Sequence, residues 1–247
     1  HGEARRAGRK GSVVLRIEDT DRKRLVEGSA ENLMEGLRWL GLDWDEGPDV
    51  GGPYAPYVQS ERKDNYHEAA EALIASGHAY PCFCTPERLA QVREDRQKRG
   101  LPPGYDRHCR NIPMADARAR MIAGEPFVVR FSMPLDGETI VPDLLRGNIV
   151  YQNEKLEDLV LLKSDGYPTY NFAVVVDDHA MKITHVTRGP EWIPTAPLHV
   201  RLYDAFGWQA PIWLHMPLIL DPKGGKLSKR NGSVALSDFK ERGYLPE

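Results

Sequence analysis

The sequence lacks a long apolar run. Of its 247 residues, 41% are hydrophobic and 28% are charged, as in ordinary globular proteins, and no stretch approaches the ~18 consecutive apolar residues of a membrane helix. The first residues, His1 to Arg6, contain no apolar segment of the kind that marks a secretory signal peptide. We therefore expect a cytoplasmic protein of one or two domains without a membrane partner.

An excess of positive charge is also missing, because the formal net charge is −3. Proteins that bind nucleic acid contact phosphates largely through Lys and Arg, so a chain with this balance must concentrate its cations locally. The composition therefore neither supports nor excludes an RNA partner.

Cysteine is scarce and confined to one region, at Cys82, Cys84 and Cys109. An odd number in so short a stretch argues against a disulfide framework. Three thiolates with a fourth nitrogen or oxygen donor form a tetrahedral structural zinc site, whereas a Cys-x-Cys pair alone is also compatible with inert buried cysteines. The residues by themselves leave both interpretations open.

The hydrophobic pattern predicts an α/β domain. We expect a buried strand over 13–17, a helix from Ser29 that stops at Gly41, and a second helix from Ser60 that stops at Gly77. The pattern changes near Tyr80, and residues 82–156 are predicted to form an inserted subdomain. The α/β pattern resumes beyond it with strands over 159–162, 183–186 and 212–214 and a helix over 196–206.

A basic loop is predicted at Lys226-Leu227-Ser228-Lys229-Arg230, after the apolar run that ends at Leu220. Mobile lysines suit a polyphosphate whose charge grows during transfer. On charge alone, a solvated basic surface loop is the favoured interpretation.

Carboxylates follow the first predicted strand, in Arg16-Ile17-Glu18-Asp19-Thr20-Asp21. Ligands bind beyond the carboxyl ends of strands in open α/β sheets, although helix caps and surface ion pairs would produce the same residues. Two further motifs run from Lys163 to Ala173 and from Arg188 to Trp192. Arginine suits a carboxylate ligand because it pairs bidentately and stays charged, but most arginines only form surface ion pairs.

These four motifs, in this order, resemble those of the glutamyl-tRNA synthetases, a family of class I aminoacyl-tRNA synthetases. The segment around Lys226 is similar to the second ATP signature of that class, and the match runs from Arg5 to Glu247. Pro190 stands where the family often has Glu. The resemblance implies a Rossmann-type fold in which residues 1–81 and 157–247 form the catalytic domain and 82–156 an acceptor-stem-binding α+β insertion.

The resemblance also implies roles for individual residues. Glu18, Tyr170 and Arg188 would bind L-glutamate, with Glu18 on the α-ammonium and Arg188 on the side-chain carboxylate. ATP, entering with Mg²⁺, would contact Glu191 at its ribose. The remaining ATP-binding positions are Trp192 and Ile219 for adenine, and Lys226 and Lys229 as catalytic phosphate ligands.

Some members of the family hold zinc at the cysteine positions. The resemblance then implies zinc on Cys82, Cys84 and Cys109, with Tyr105 as the fourth ligand and His108 as its alternative.

The first ATP signature of the class is not found, nor is the opening-strand arginine that helps to bind glutamate, and residues 242–247 resemble the point where the family continues into further tRNA-binding domains. We therefore expect this chain by itself to be inactive. The implied activity of the parent, a monomer in our prediction, is glutamate activation by ATP and transfer to tRNA(Glu). The alternatives are a paralogue that glutamylates queuosine in tRNA(Asp), and a non-catalytic module that binds tRNA or an amino acid.

Overall fold

The computed structural model describes residues 11–21, 28–102, 104–218 and 236–246. The chain forms two compact units. The smaller consists of His1–Glu61 with Met216–Glu247, and the larger of Arg62–His215. The larger unit carries every regular strand of the described residues.

The helices are labelled in chain order. They are α1 Ser29–Trp39, α2 Lys63–Ala75, α3 Pro86–Lys98, α4 Met114–Ile122, α5 Tyr170–Ala180, α6 Ala196–Phe206 and α7 Leu236–Glu241. Short 3₁₀ helices cover Gln59–Arg62, Asn153–Lys155 and Pro190–Thr195.

The strands form two sheets in the larger unit. They are β1 Ala79–Cys82, β2 Val128–Phe131, β3 Glu138–Asp143, β4 Gly147–Gln152, β5 Val160–Leu162, β6 His185–Arg188 and β7 Ile212–His215. One sheet is antiparallel, in the order β1-β2-β5. The other has the order β4-β3-β7-β6, with β3 antiparallel to β4 and parallel to β7.

Strands β6 and β7 are parallel neighbours, and α6 is the crossover between them. This connection is the βαβ unit that parallel strands require. Arg188 is paired with His215 at the carboxyl end of the ladder. The α/β prediction is therefore confirmed in this part of the chain, and polar residues stand where such sheets bind ligands.

The core of the larger unit lies between these sheets and helices α2, α5 and α6. Full burial of one large apolar side chain stabilises the fold by roughly 1.5–3 kcal/mol. The most deeply buried apolar side chains of this core are Tyr66, Leu73, Phe131, Met133, Leu161, Phe172, Val175 and Leu202.

Several predicted boundaries are confirmed. Helix α6 covers the predicted 196–206, and α2 ends before Gly77, whose φ of 79° suits a residue without a Cβ. Helix α1 ends before Gly41 in the same conformation. Helix α2 begins three residues later than predicted, because Gln59–Arg62 forms a 3₁₀ turn first.

The prediction of a regular strand over 13–17 is wrong, because the segment forms only isolated bridges. Val14 makes one isolated parallel bridge with Glu46, and Ile17 makes another with Val58. Both contacts lie in the smaller unit. The segment changes its partner between these two residues, so no continuous ladder can form.

The strand predicted over 183–186 lies two residues further along, as β6. Residues 82–156, the predicted insertion, contain α4 and the β3–β4 hairpin, neither of which was predicted. Along β3, exposed and buried residues alternate, which is the pattern of a strand covered on one face.

Candidate active site and thiol cluster

Arg188 lies at the carboxyl end of β6 and is the centre of the candidate site. Its Nη2 is 3.3 Å from Nδ1 of His199 on α6. Its Nε and Nη1 atoms are buried and have no hydrogen-bond acceptor within the described ranges. Buried charged donors without a partner are costly, so this guanidinium is suited to an anionic ligand that supplies the missing acceptors.

His199 links Arg188 to the start of α5. Its side chain is buried, and Nε2 is 2.9 Å from Oδ1 of Asn171. Burial, followed by the positive potential of Arg188 and of His215, holds the pKa of His199 well below its ordinary value. The imidazole is therefore neutral at physiological pH.

Tyr170 and Trp192, for which the resemblance implies separate contacts with glutamate and adenine, lie side by side. Tyr170 is the first residue of α5, and Trp192 lies in the 3₁₀ helix that follows β6. Their ring centroids are 4.5 Å apart with an interplanar angle of 36°. The two rings, one from α5 and one from the 3₁₀ helix, form an aromatic surface on which a planar group can stack.

Glu191 folds back over Gly189, which follows Arg188 directly. A Cβ on Gly189 would overlap the Glu191 carboxylate. A residue without a side chain is therefore required here if Glu191 is to keep its position beside the end of β6.

Asp143 and His215 add a buried acid–imidazole pair that was not predicted. The imidazole Nδ1 of His215 is 2.6 Å from Oδ2 of Asp143, and Nε2 has no partner among the described residues. Burial raises the pKa of Asp143, but hydrogen bonds from His215 and from the backbone of Leu145, Arg146 and His215 outweigh it, so the pKa lies below its ordinary value.

Asp177, four residues beyond the motif that runs from Lys163 to Ala173, has a structural role. Asp177 is fully buried and accepts from Nε of Arg62 at 2.7 Å and from the hydroxyl of Tyr66 at 2.8 Å. These bonds hold α5 against α2, and thus fix the helix that presents Tyr170 and Asn171.

Glu18 belongs to the smaller unit. Its carboxylate is exposed and pairs with Nη2 of Arg16 at 3.1 Å. Asp19 next to it accepts from the backbone N–H of Ser60 at 2.8 Å. The predicted ATP residues Ile219, Lys226 and Lys229 lie outside the described residues.

The three cysteines converge near the carboxyl end of β1. Their sulfur atoms all lie within 4.8 Å of one another, and Cys84 Sγ is 3.5 Å from Cys109 Sγ. The Tyr105 hydroxyl is 3.2 Å from Cys82 Sγ and 3.5 Å from Cys84 Sγ. Zinc bonds of ~2.3 Å to sulfur and ~2.0 Å to oxygen imply edges of roughly 3.8 and 3.5 Å in a tetrahedral site. The cluster therefore has the dimensions of such a site.

His108 does not belong to this cluster. Its side chain is exposed, and within the described ranges the metal-capable group contains the three cysteines and no histidine. Tyr105 is buried beside the thiols instead, and its hydroxyl also accepts from the backbone N–H of Cys109 at 3.0 Å. The geometry brings together the thiols and the tyrosine.

The electrostatics of the cluster favour a cation. Burial raises the pKa of Cys82, but its hydrogen bonds with the Tyr105 hydroxyl, the Cys84 backbone and Arg130 outweigh that effect and leave the pKa below its ordinary value. Burial and the neighbouring thiols raise the pKa of Cys84 to about 11. Several buried thiols cannot all ionise side by side unless a positive charge compensates them.

Asp158 anchors the loop that carries Tyr105 and Cys109. It is fully buried, and it accepts from the Tyr80 hydroxyl at 2.7 Å, from Arg110 at 3.2 Å and from the backbone of Met133 at 3.2 Å. The loop is thereby bound to β1, which ends at Cys82, so the thiols are held in place by the protein itself.

Four residues around the candidate sites were missed by the sequence reasoning: Asn171, His199, Asp143 and His215. Asn171 lies within the motif over 163–173, but no role was assigned to it. The other three are marked in the sequence only as polar side chains in apolar elements, as His199 is in α6. No helix of the described part of the chain has both the length and the apolar character needed to cross a membrane.

Comparison with known proteins fits this geometry. Residues 4–247 match the family model described as tRNA synthetases class I (E and Q), catalytic domain. Curated relatives called glutamate–tRNA ligase include one from Acidothermus cellulolyticus, 55% identical over 99% of this chain, and one from Fusobacterium nucleatum, 53% identical over 96%. The chain covers 48% and 46% of these relatives, so it spans about half their length.

Solved structures agree. A glutamate tRNA ligase from Elizabethkingia meningosepticum, solved in complex with its amino acid, is 46% identical and superposes with a TM-score of 0.84. The match covers 95% of this chain and 47% of that one. The Rossmann-type fold class is confirmed by this likeness, and the chain belongs to the catalytic-domain family of the class I tRNA synthetases for glutamate and glutamine.

Proposed function

We propose that the full-length protein activates L-glutamate with ATP and transfers the glutamyl group to the 3′ end of tRNA(Glu). The observation that carries this proposal is Arg188. It is a partly buried guanidinium at the carboxyl end of a parallel strand, and two of its donors have no acceptor among the residues that the structure describes. A carboxylate side chain is the ligand that matches its charge and fork geometry.

The amino acid is bound through its two ends. Arg188 pairs with the side-chain carboxylate, Tyr170 contacts the substrate beside it, and Glu18 receives the α-ammonium group. Nε and Nη1 of Arg188 are covered by protein atoms, so the covering side chains shift slightly when the carboxylate enters.

ATP binds with Mg²⁺ as the substrate complex. Trp192 and Ile219 line the adenine, Glu191 contacts the ribose, and Lys226 and Lys229 bind the phosphates. An α-carboxylate oxygen of glutamate attacks the α-phosphorus, the bond to the β-phosphate breaks, and pyrophosphate leaves. A ribose hydroxyl of tRNA then attacks the acyl carbon and AMP leaves. No protein nucleophile is needed, so positioning and electrostatics carry the rate.

The insertion, residues 82–156, contacts the acceptor stem of the tRNA and carries a structural zinc ion. Cys82, Cys84, Cys109 and Tyr105 are the proposed ligands. Their spacing and the unfavourable crowding of their thiols support this assignment over His108. Metal analysis after purification without chelators should find about one zinc per chain, and less than about a tenth of an equivalent would contradict the assignment.

ATP–pyrophosphate exchange tests the activity. The full-length protein, with tRNA(Glu) present, should exchange with glutamate and far less with glutamine or aspartate. Lys229→Ala should lower the rate by ~10²-fold or more, as expected when one preorganised charge is lost. Exchange that does not depend on glutamate would refute the proposal.

The alternatives give other results. The paralogue would glutamylate tRNA(Asp) and leave tRNA(Glu) uncharged, and a binding module would retain a ligand without exchange. The curated relatives that were compared are called glutamate–tRNA ligases, which favours the charging of tRNA(Glu). A monomeric, cytoplasmic protein remains our prediction.

A further inference from the structure

The hydrogen-bond chain Arg188–His199–Asn171 contains an imidazole whose two nitrogens both have partners. Nε2 faces Oδ1 of Asn171 at 2.9 Å, and Nδ1 faces Nη2 of Arg188 at 3.3 Å. All three residues lie in the larger unit, on β6, α6 and α5. No other acceptor for Arg188 is found in the described part of the chain.

Only one arrangement of protons satisfies this chain. Arginine is always a donor, so Nδ1 of His199 must carry the lone pair. Nε2 then carries the proton, which it donates to the amide oxygen of Asn171. If the amide were turned over, its nitrogen would face Nε2 as a donor and drive the proton to Nδ1, against the Arg188 donor.

We propose that His199, held by Asn171 as the neutral Nε2–H tautomer, is a positioning residue that aims Arg188 at the side-chain carboxylate of the amino acid. It thereby contributes to the preference for glutamate over glutamine. This inference rests on the proposed function, because it assigns the orientation of the same guanidinium.

The neutral state of His199 matters as much as its position. An uncharged acceptor binds one donor of Arg188 and leaves the positive charge available for the substrate. A carboxylate in the same place would neutralise that charge and weaken the attraction of glutamate relative to its amide. A protonated imidazole would present a second donor and push the guanidinium away.

The test compares two amide replacements in the full-length protein. Asparagine places its side-chain oxygen near the position of Nδ1, whereas glutamine reaches toward Nε2 and leaves Nδ1 without a substitute. Both remove the ring, so the loss of packing is similar. His185→Gln is the matched control, because His185 is exposed and lies at the opposite end of β6.

Steady-state exchange kinetics should separate these variants. His199→Gln should raise the KM for glutamate about 10- to 100-fold, the range expected for one hydrogen bond to a charged group, with the KM for ATP within about twofold. The preference for glutamate over glutamine as a competing ligand should fall in parallel. His199→Asn should recover most of this loss, and His185→Gln should match the wild type.

Three outcomes would overturn the positioning role: equal losses in the Asn and Gln variants, equal changes in both KM values, or unchanged kinetics in His199→Gln. If neither variant folds, Asn171→Ala is the substitute test. It removes the acceptor that holds the proton on Nε2 of His199, so it should raise the KM for glutamate and leave the KM for ATP unchanged. Arg188→Gln separates the two proposals. If it abolishes glutamate activation while His199→Gln does nothing, only the positioning role fails, and if the wild type activates no glutamate, the proposed function fails.

Discussion

Asp143 binds His215 twice, through the imidazole Nδ1 at 2.6 Å and through the backbone N–H at 3.0 Å. Asp143 is the last residue of β3, and His215 is the last residue of β7. The two strands share a single residue pair in their ladder, between Asp143 and Trp213. The Asp143 carboxylate therefore adds two hydrogen bonds to the one that the Leu144 N–H donates to the Trp213 carbonyl, and these bonds join the hairpin to β7.

This contact predicts an acid-sensitive stability. The pKa of Asp143 is lower in the folded chain than in the unfolded chain, where it is ~3.9. The stabilisation is therefore complete above about pH 4 and is lost as the pH falls through the folded value. Asp143→Asn should lose about 1.5–3 kcal/mol at pH 7 and show a flatter decline below pH 4.

Urea unfolding of both proteins from pH 3 to pH 7 measures this difference. Other carboxylates titrate in the same range, so only the difference between the two curves reports on Asp143. Two parallel curves would show that the pair does not couple folding to pH.

Substitutions at the buried ion pair between Arg62 and Asp177 should change the free energy of unfolding in a strongly non-additive way. Arg62→Leu removes the cation that compensates the buried Asp177 carboxylate, while the hydrogen bond from the Tyr66 hydroxyl remains. The substitution should therefore lower the free energy of unfolding by about 3–5 kcal/mol. The double variant Arg62→Leu, Asp177→Leu should lose less than the sum of the single variants, because no uncompensated charge remains. Denaturant unfolding in a double-mutant cycle checks this, and additive losses would contradict it.

The sequence predicted the parts of the fold that local rules determine. Helix α6 was placed correctly because apolar residues recur along 196–206 and Gly207 ends it. The strand over 13–17 failed because its pairing depends on two distant segments. The Asp143–His215 contact spans 72 residues, and no local pattern encodes a pair of that separation. For the same reason, the resemblance supplied Arg188 but not His199, whose role is visible only once α6 crosses from β6 to β7.

The thiol cluster predicts a specific order of zinc affinities. Tyr105→Phe removes the oxygen that lies 3.2 and 3.5 Å from two of the sulfur atoms. Because a proposed ligand is lost, zinc binding should weaken by at least the ~10- to 100-fold seen when a group that only supports a ligand is removed. His108→Ala is the matched control, because His108 is exposed and its ring is outside the cluster. Competition with a coloured chelator measures both, and a larger effect from His108→Ala would reverse the choice of fourth ligand.

The substitution Gly189→Ala should affect ATP binding without affecting the free energy of unfolding. An added methyl group would overlap the carboxylate of Glu191, which is the far end of a flexible side chain and can rotate away. The backbone of Gly189 is extended, with φ of −72° and ψ of 160°, so alanine fits without strain. Gly189→Ala should therefore change the free energy of unfolding by less than about 0.5 kcal/mol, as at an ordinary tolerant position.

The displaced carboxylate should instead weaken the proposed ribose contact. We expect Gly189→Ala and Glu191→Ala to raise the KM for ATP by similar factors, roughly 10- to 100-fold for one lost hydrogen bond to a charged group, with the KM for glutamate nearly unchanged. In the double variant the second substitution should add little, because the first has already moved the carboxylate. If Gly189→Ala leaves the KM for ATP unaltered while Glu191→Ala raises it, the carboxylate does not need the space above Gly189 in order to reach ATP.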